Sequence, residues 1–143
     1  MERFERRALG LAALRIVIAG LLAIHGWYRF TQGGVAPFGE WLTSQGIPFG
    51  PYVAGAVTGW EILATPLLAI GWRVPWLCLG FTAIYATGLA MVHWPEGWFV
   101  VGGGRNGMEY SVLLLACLGV TAFTHLPERA SPASPGEPGE NVI

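Results

Sequence analysis

A single glutamate, Glu61, sits in the middle of the otherwise apolar or small stretch "YVAGAVTGWEILATPLLAIGW", Tyr52 to Trp72. An isolated charge at mid-bilayer costs at least about 2.5–3.5 kcal/mol, so such a carboxylate turns inward and finds a partner. Four other ionisable residues lie in or at the ends of the apolar stretches: Arg15, His25, His93 and Glu109. Taking the first stretch as running outward and the second inward, Arg15 lies about 21 Å below Arg29 and Glu61 about 14 Å below Tyr52 at 1.5 Å per residue. An extended Arg side chain roughly spans the difference, so Arg15 and Glu61 are the expected ion pair of the core. Two roles stay open for it. The pair fixes helix register, or the carboxylate, beside Trp60 and with Thr58 and Thr65 on its own face, carries protons or binds a polar headgroup. Pro66 cannot donate to the carbonyl of Ile62 and opens the helix one turn below Glu61.

A second cluster is expected in the outer half. His25 and Arg29 are four apart and share a helix face. His93 ends the third stretch, and Glu109 with Tyr110 begins the fourth, after "GGGRNG". The chemistry read from these types is proton exchange by His25, His93 and Glu109, with Arg29, Trp60, Glu61 and Tyr110 as further contacts for a bound group. No HxxxH or ExxH pair occurs, so no metal is expected. Haem held by His25 and His93 is disfavoured, since the chain has no attachment motif. A quinone suits better: its carbonyls need a His, Arg or Tyr donor, its tail needs an apolar slot, and its reduction consumes protons. The other reading of the cluster is structural, a set of satisfied residues at helix ends.

These side chains require membrane helices to position them. Apolar residues make up 53% of the 143-residue chain and charged residues 12%, about half the charged share of a soluble domain. A crossing needs about 20 mostly apolar residues, and four stretches qualify: Ala8 to Phe30, Tyr52 to Trp72, Val74 to Trp94 and Met108 to His125. The first is read as a retained helix, because it is long, holds Arg15 and shows no cleavage site. The expected fold is therefore all-α, an integral-membrane antiparallel four-helix bundle over residues 1–126. "GWRVPW" makes the second and third spans a tight hairpin. Val35, Phe38, Trp41 and Leu42 mark a short interfacial helix between the first two spans, either a lid or a passive loop. The Pro-, Ser- and Gly-rich residues 127–143 are expected to form a disordered cytoplasmic tail. Arg3, Arg6, Arg7, Arg73 and Arg129 fall on one side and only Arg29 and Arg105 on the other, which puts both termini in the cytoplasm of a bacterial inner membrane.

A net charge of −1 without a basic run argues against a nucleic-acid partner. Cys78 and Cys117 stand singly in the third and fourth spans with no CxxC, and are read as small hydrophobes rather than a redox pair.

At these residues the chain resembles the DoxX family of small four-helix bacterial membrane proteins. The resemblance rests on Arg15 followed by "HGWYRF", on "FGEWLTSQGIP", on "GWEILATPLLAIGWR" with Glu61, on a third helix ending in His93, and on "GGGRNGMEYSVLLL" with Glu109. It spans about residues 8 to 125. The family often has Lys shortly after the His-Gly pair, and here Arg29 stands near that place. The family takes its name from a subunit of a thiosulfate:quinone oxidoreductase, and other members are associated with membrane redox complexes and oxidative stress. The resemblance thus implies, by analogy, a quinone-binding membrane subunit of an oxidoreductase, working with a soluble or membrane redox partner. The rival readings are a non-catalytic scaffold for soluble redox partners and a proton-coupled small-molecule transporter. Arg15 paired with Glu61 would neutralise it and speaks against the transporter.

Overall fold

The computed structural model describes residues 3–101 and 105–127. The expected disordered tail from residue 128 onward lies outside the described residues. Among those described the fold is all-helical: α1 (Arg3–Thr31), α2 (Val35–Ser44), α3 (Gly50–Ile70), α4 (Val74–Gly88) and α5 (Glu109–Phe123). Beyond Gly88, α4 widens into a π turn over Leu89–His93 and closes with a 3-10 turn over Trp94–Glu96.

The helix boundaries follow from local sequence. Pro51 and Pro75 sit in the first turns of α3 and α4, where a missing N–H costs nothing. α3 stops at Gly71, whose φ of 88° lets Gly71 N–H reach the Leu68 carbonyl and Trp72 N–H the Leu67 carbonyl. This is a Schellman termination, and it makes the three-residue turn into α4. Pro66 does not break α3. The Ile62 carbonyl that it leaves without a backbone donor lies 3.4 Å from the Thr65 hydroxyl, which also donates to Glu61 O at 2.7 Å.

Packing runs in a ring, α1 on α3, α3 on α4, α4 on α5 and α5 back on α1, with α2 laid against α3. The core is Ile18, Ala19 and Leu22 from α1, Ala64 and Leu68 from α3, Val74, Leu77, Cys78 and Phe81 from α4, and Leu114 and Leu118 from α5. Around it the surface is apolar: Ile16, Ile24, Leu63, Ile70, Leu79, Leu113 and Phe123 are all exposed. Only 17% of the most apolar window of α1 is buried, so its hydrophobicity is not satisfied by protein and needs lipid. Three helical segments are long and apolar enough to cross a membrane, Arg3–Thr31, Gly50–Ile70 and Val74–Glu96. α5, at 15 residues, is shorter than the expected fourth span.

The contact that sets the site is between α1 and α3. A Cβ on Gly26 would lie 2.6 Å from Glu61 Cβ and 3.2 Å from the backbone nitrogen of Ile62, so only glycine permits this approach. Gly26→Ala is expected to cost about 1–3 kcal/mol by overpacking. Gly20→Ala on the same helix meets nothing within 4 Å and should be neutral or stabilising by up to about 1 kcal/mol through helix propensity. Denaturant unfolding of the two purified variants compares them directly.

Candidate functional site

With Gly26 against Glu61, the antiparallel register puts Arg29 one turn further along α1, beside Thr58. Arg29 Nη1 donates to Glu61 Oε2 at 2.6 Å and to Thr58 Oγ1 at 3.2 Å. Tyr85, on α4, donates its hydroxyl to Glu61 Oε1 at 3.0 Å. Both carboxylate oxygens are thus occupied, and the residue is 2% exposed. The Arg29 guanidinium also stacks over Phe38 of α2, 4.5 Å from its ring centre.

The expected pair of Arg15 with Glu61 is therefore corrected: Arg29 is the partner. Arg15 lies eleven residues before Gly26, about 16 Å along the axis, and its bonds go to His125 Nε2 at 2.7 Å and the Ala69 carbonyl at 3.3 Å. The expectation set Arg29 level with Tyr52. In the structure α3 continues beyond the level of Arg29, and α2 packs against that extension, with Gly39 in close contact with Pro51.

Glu61 and Arg29 stand at the wall of a cavity of about 430 Å³, within the size range of small-molecule sites. Its polar lining includes His25, Arg29, Glu61, Tyr85, His93 and Ser111, and its apolar walls include Phe38, Trp41, Leu42, Val57, Ile84 and Met91. The His25 ring meets Tyr85 edge-on at 5.9 Å between centroids and makes no hydrogen bond with another described residue. His93 faces a carbonyl, Asn106 O, at 2.7 Å from its Nδ1. A carbonyl only accepts, so Nδ1 carries a proton and, in the neutral ring, Nε2 is the acceptor. The π turn at Leu89–His93 contributes Met91, Val92 and His93 to the wall, in keeping with the frequency of such turns at functional sites. A further hollow of about 380 Å³, reaching Gln32 and Gly34, shares His25 and Arg29 with the first.

Three expected site residues lie elsewhere. Trp60 is on another face of α3, packed on Phe81 at 6.0 Å between ring centroids and over Gly80, because neighbouring residues on a helix are 100° apart. Glu109 accepts the Val100 N–H at 3.2 Å and so ties Val100 to the start of α5. Tyr110 is exposed and does not line the cavity. Sequence reasoning missed Tyr85 and did not place Phe38 and Trp41 in the site. The signal for Tyr85 was a phenol inside an apolar helix, the same kind of anomaly as Glu61.

A model of the DoxX family matches residues 10–94, more than half of the chain. The chain belongs to the DoxX family. The matched DoxX segment carries Arg15, His25, Arg29, Glu61, Tyr85 and His93, whereas Glu109 and His125 lie beyond it. The protein is a DoxX membrane protein on the joint strength of this match and of its lipid-requiring helices. No curated protein and no solved structure matches the chain.

Proposed function

We propose that this DoxX protein binds a quinone headgroup in the Glu61 cavity and serves as the membrane subunit of an electron-transfer complex. The observation that carries the reading is the cavity itself, in which a carboxylate, a guanidinium, a phenol and two imidazoles meet against apolar and aromatic walls. The ring of a quinone lies between Phe38, Trp41 and Met91, and its carbonyls take hydrogen bonds from His25, or from Tyr85 when its hydroxyl turns away from Glu61 Oε1, to which it donates here. Interconversion of quinone and quinol moves two electrons and two protons. The electrons pass to or from a redox partner protein, and the protons pass by way of His25 and the Glu61 carboxylate toward the hollow at Gln32. α2 covers the headgroup as a lid, held by the Arg29–Phe38 stacking.

The same proposal includes the membrane arrangement. α5 shares the core with the three long helices, Leu114 and Leu118 lying among Leu22, Leu68 and Phe81, so it sits at their depth and completes a four-helix transmembrane bundle. α2 then lies at the interface on the side of the quinone site. The arginine asymmetry puts both termini in the cytoplasm and the protein in a bacterial inner membrane.

The test is extraction of lipids from protein purified in mild detergent, with mass spectrometry and an absorption spectrum of the same sample. A quinone near one per chain is expected, falling several-fold in Tyr85→Phe. A haem absorption band, or no quinone in a sample that retains other lipids, would overturn the reading.

A further inference from the structure

The opposite end of the helices carries polar groups that the quinone reading does not use. Arg15 bonds only neutral acceptors there. The Thr121 carbonyl accepts from His125 Nδ1 at 2.9 Å, which leaves His125 Nε2 to accept from Arg15 Nη1 at 2.7 Å. Arg15 forms no ion pair among the described residues. Its Nε and the hydroxyl of Thr121 are buried with no hydrogen-bond partner among them. A partly buried cation without an anion is an unfavourable arrangement for a protein to keep unless something else supplies the negative charge.

Beside this group lies a hollow of about 310 Å³ whose lining includes Gly71, Arg73, Val74, Trp76 and His125. A Cβ built on Gly71 would come within 3.0 Å of Arg15 Nη1, so the guanidinium stands directly behind the wall. The hollow is at the start of the 15-residue α4, where Pro75 has no N–H and the Trp76 N–H donates to the Arg73 carbonyl at 3.0 Å, so the helix contributes its positive dipole end rather than a row of free donors. Arg73 caps that start with a φ of 48°, an uncommon conformation for a side chain of its size. Adjoining the hollow, and sharing Arg73 and Trp76 with it, an apolar groove of about 700 Å³ runs past Leu67, Leu63 and Trp60 to Gly59. Exposed Trp72 and Trp76 mark this level as a headgroup belt.

A cationic hollow leading into an apolar groove matches an amphiphile with a negative head. The geometry points to a binding site for an anionic phospholipid, its phosphate against Arg73 and the start of α4 with Arg15 behind, and one acyl chain along the groove to Trp60. Charge complementarity selects the occupant, since basic pockets between membrane helices hold anionic headgroups. The site is separate from the Glu61 cavity and does not depend on the quinone reading.

The test titrates detergent-purified protein with phosphatidylglycerol, with phosphatidylcholine of the same chains and with inorganic phosphate, following binding by native mass spectrometry and stability by thermal melting. Wild type should favour phosphatidylglycerol over phosphatidylcholine by at least about fivefold, and Arg73→Gln should lose about fivefold of that preference while Arg73→Lys keeps it. Gly59→Leu adds a side chain where a Cβ meets nothing within 4 Å, so it fills the groove without disturbing the fold and should weaken both lipids equally. Equal binding of the two lipids by wild type, a preference untouched by Arg73→Gln, or unaltered lipid binding in Gly59→Leu would overturn the site. Inorganic phosphate that stabilised as strongly as phosphatidylglycerol would overturn the lipid as its ligand.

Discussion

Arg29→Leu and Glu61→Leu should each lower the unfolding free energy of the purified protein by about 3–5 kcal/mol, and the double variant should recover most of the loss. A buried ion pair is costly to halve because the remaining charge stays in a low-dielectric site without compensation. The two halves are not equivalent here. The Arg29 side chain is 20% exposed and Glu61 only 2%, so a guanidinium left alone has some access to solvent and the carboxylate has almost none. Arg29→Leu should therefore be the more damaging single change, even though Tyr85 and its 3.0 Å hydrogen bond remain. Arg15→Leu supplies the contrast. Its partners are His125 and the Ala69 carbonyl, so its cost should add to that of Glu61→Leu within about 0.5 kcal/mol. Denaturant unfolding in a fixed detergent measures all five variants, and additive losses for Arg29 and Glu61 would mean that they do not act as a pair.

What the sequence made legible was the kind of residue involved, and what it hid was register. Glu61 stood out because a carboxylate in an apolar stretch must have a partner, and the DoxX resemblance was carried by motifs whose spacing survives without a structure. The helices were legible too, since hydropathy, Pro51, Pro75 and Gly71 mark their spans and turns. The partner of Glu61 was not. Depth counted from assumed outer ends placed Arg29 too high, because nothing in the composition shows that α3 runs past α1 to meet α2. The information was present in Gly26, the residue after His25, but a glycine reads as a close contact only once the opposing helix is known. Trp60 failed for the reverse reason: adjacency in sequence was read as adjacency in space, and one step along a helix turns a side chain away. Glu109 was expected in the cluster on depth alone, and its bond to the Val100 N–H gives it a structural task.

Glu61→Gln separates the pair's structural task from a chemical one. The amide oxygen of Gln still accepts from Tyr85, and its shape fits the space beside Gly26, so the cavity and its quinone should be retained. What is lost is a group that can gain and release a proton. If the Glu61 carboxylate relays protons between bound quinone and the hollow at Gln32, electrochemical reduction of quinone held in a protein film should slow by about 10²- to 10⁴-fold, the usual contribution of a positioned acid or base. Tyr85→Phe should slow it less, because it removes a donor to the carboxylate and leaves the carboxylate itself in place. Loss of the Arg29 interaction also destabilises Glu61→Gln, so quinone content per folded chain has to be measured on the same film. A Gln variant with wild-type quinone content and an unchanged reduction rate would leave Glu61 as an anchor for Arg29 alone, with His25 as the remaining titratable group that lines both hollows.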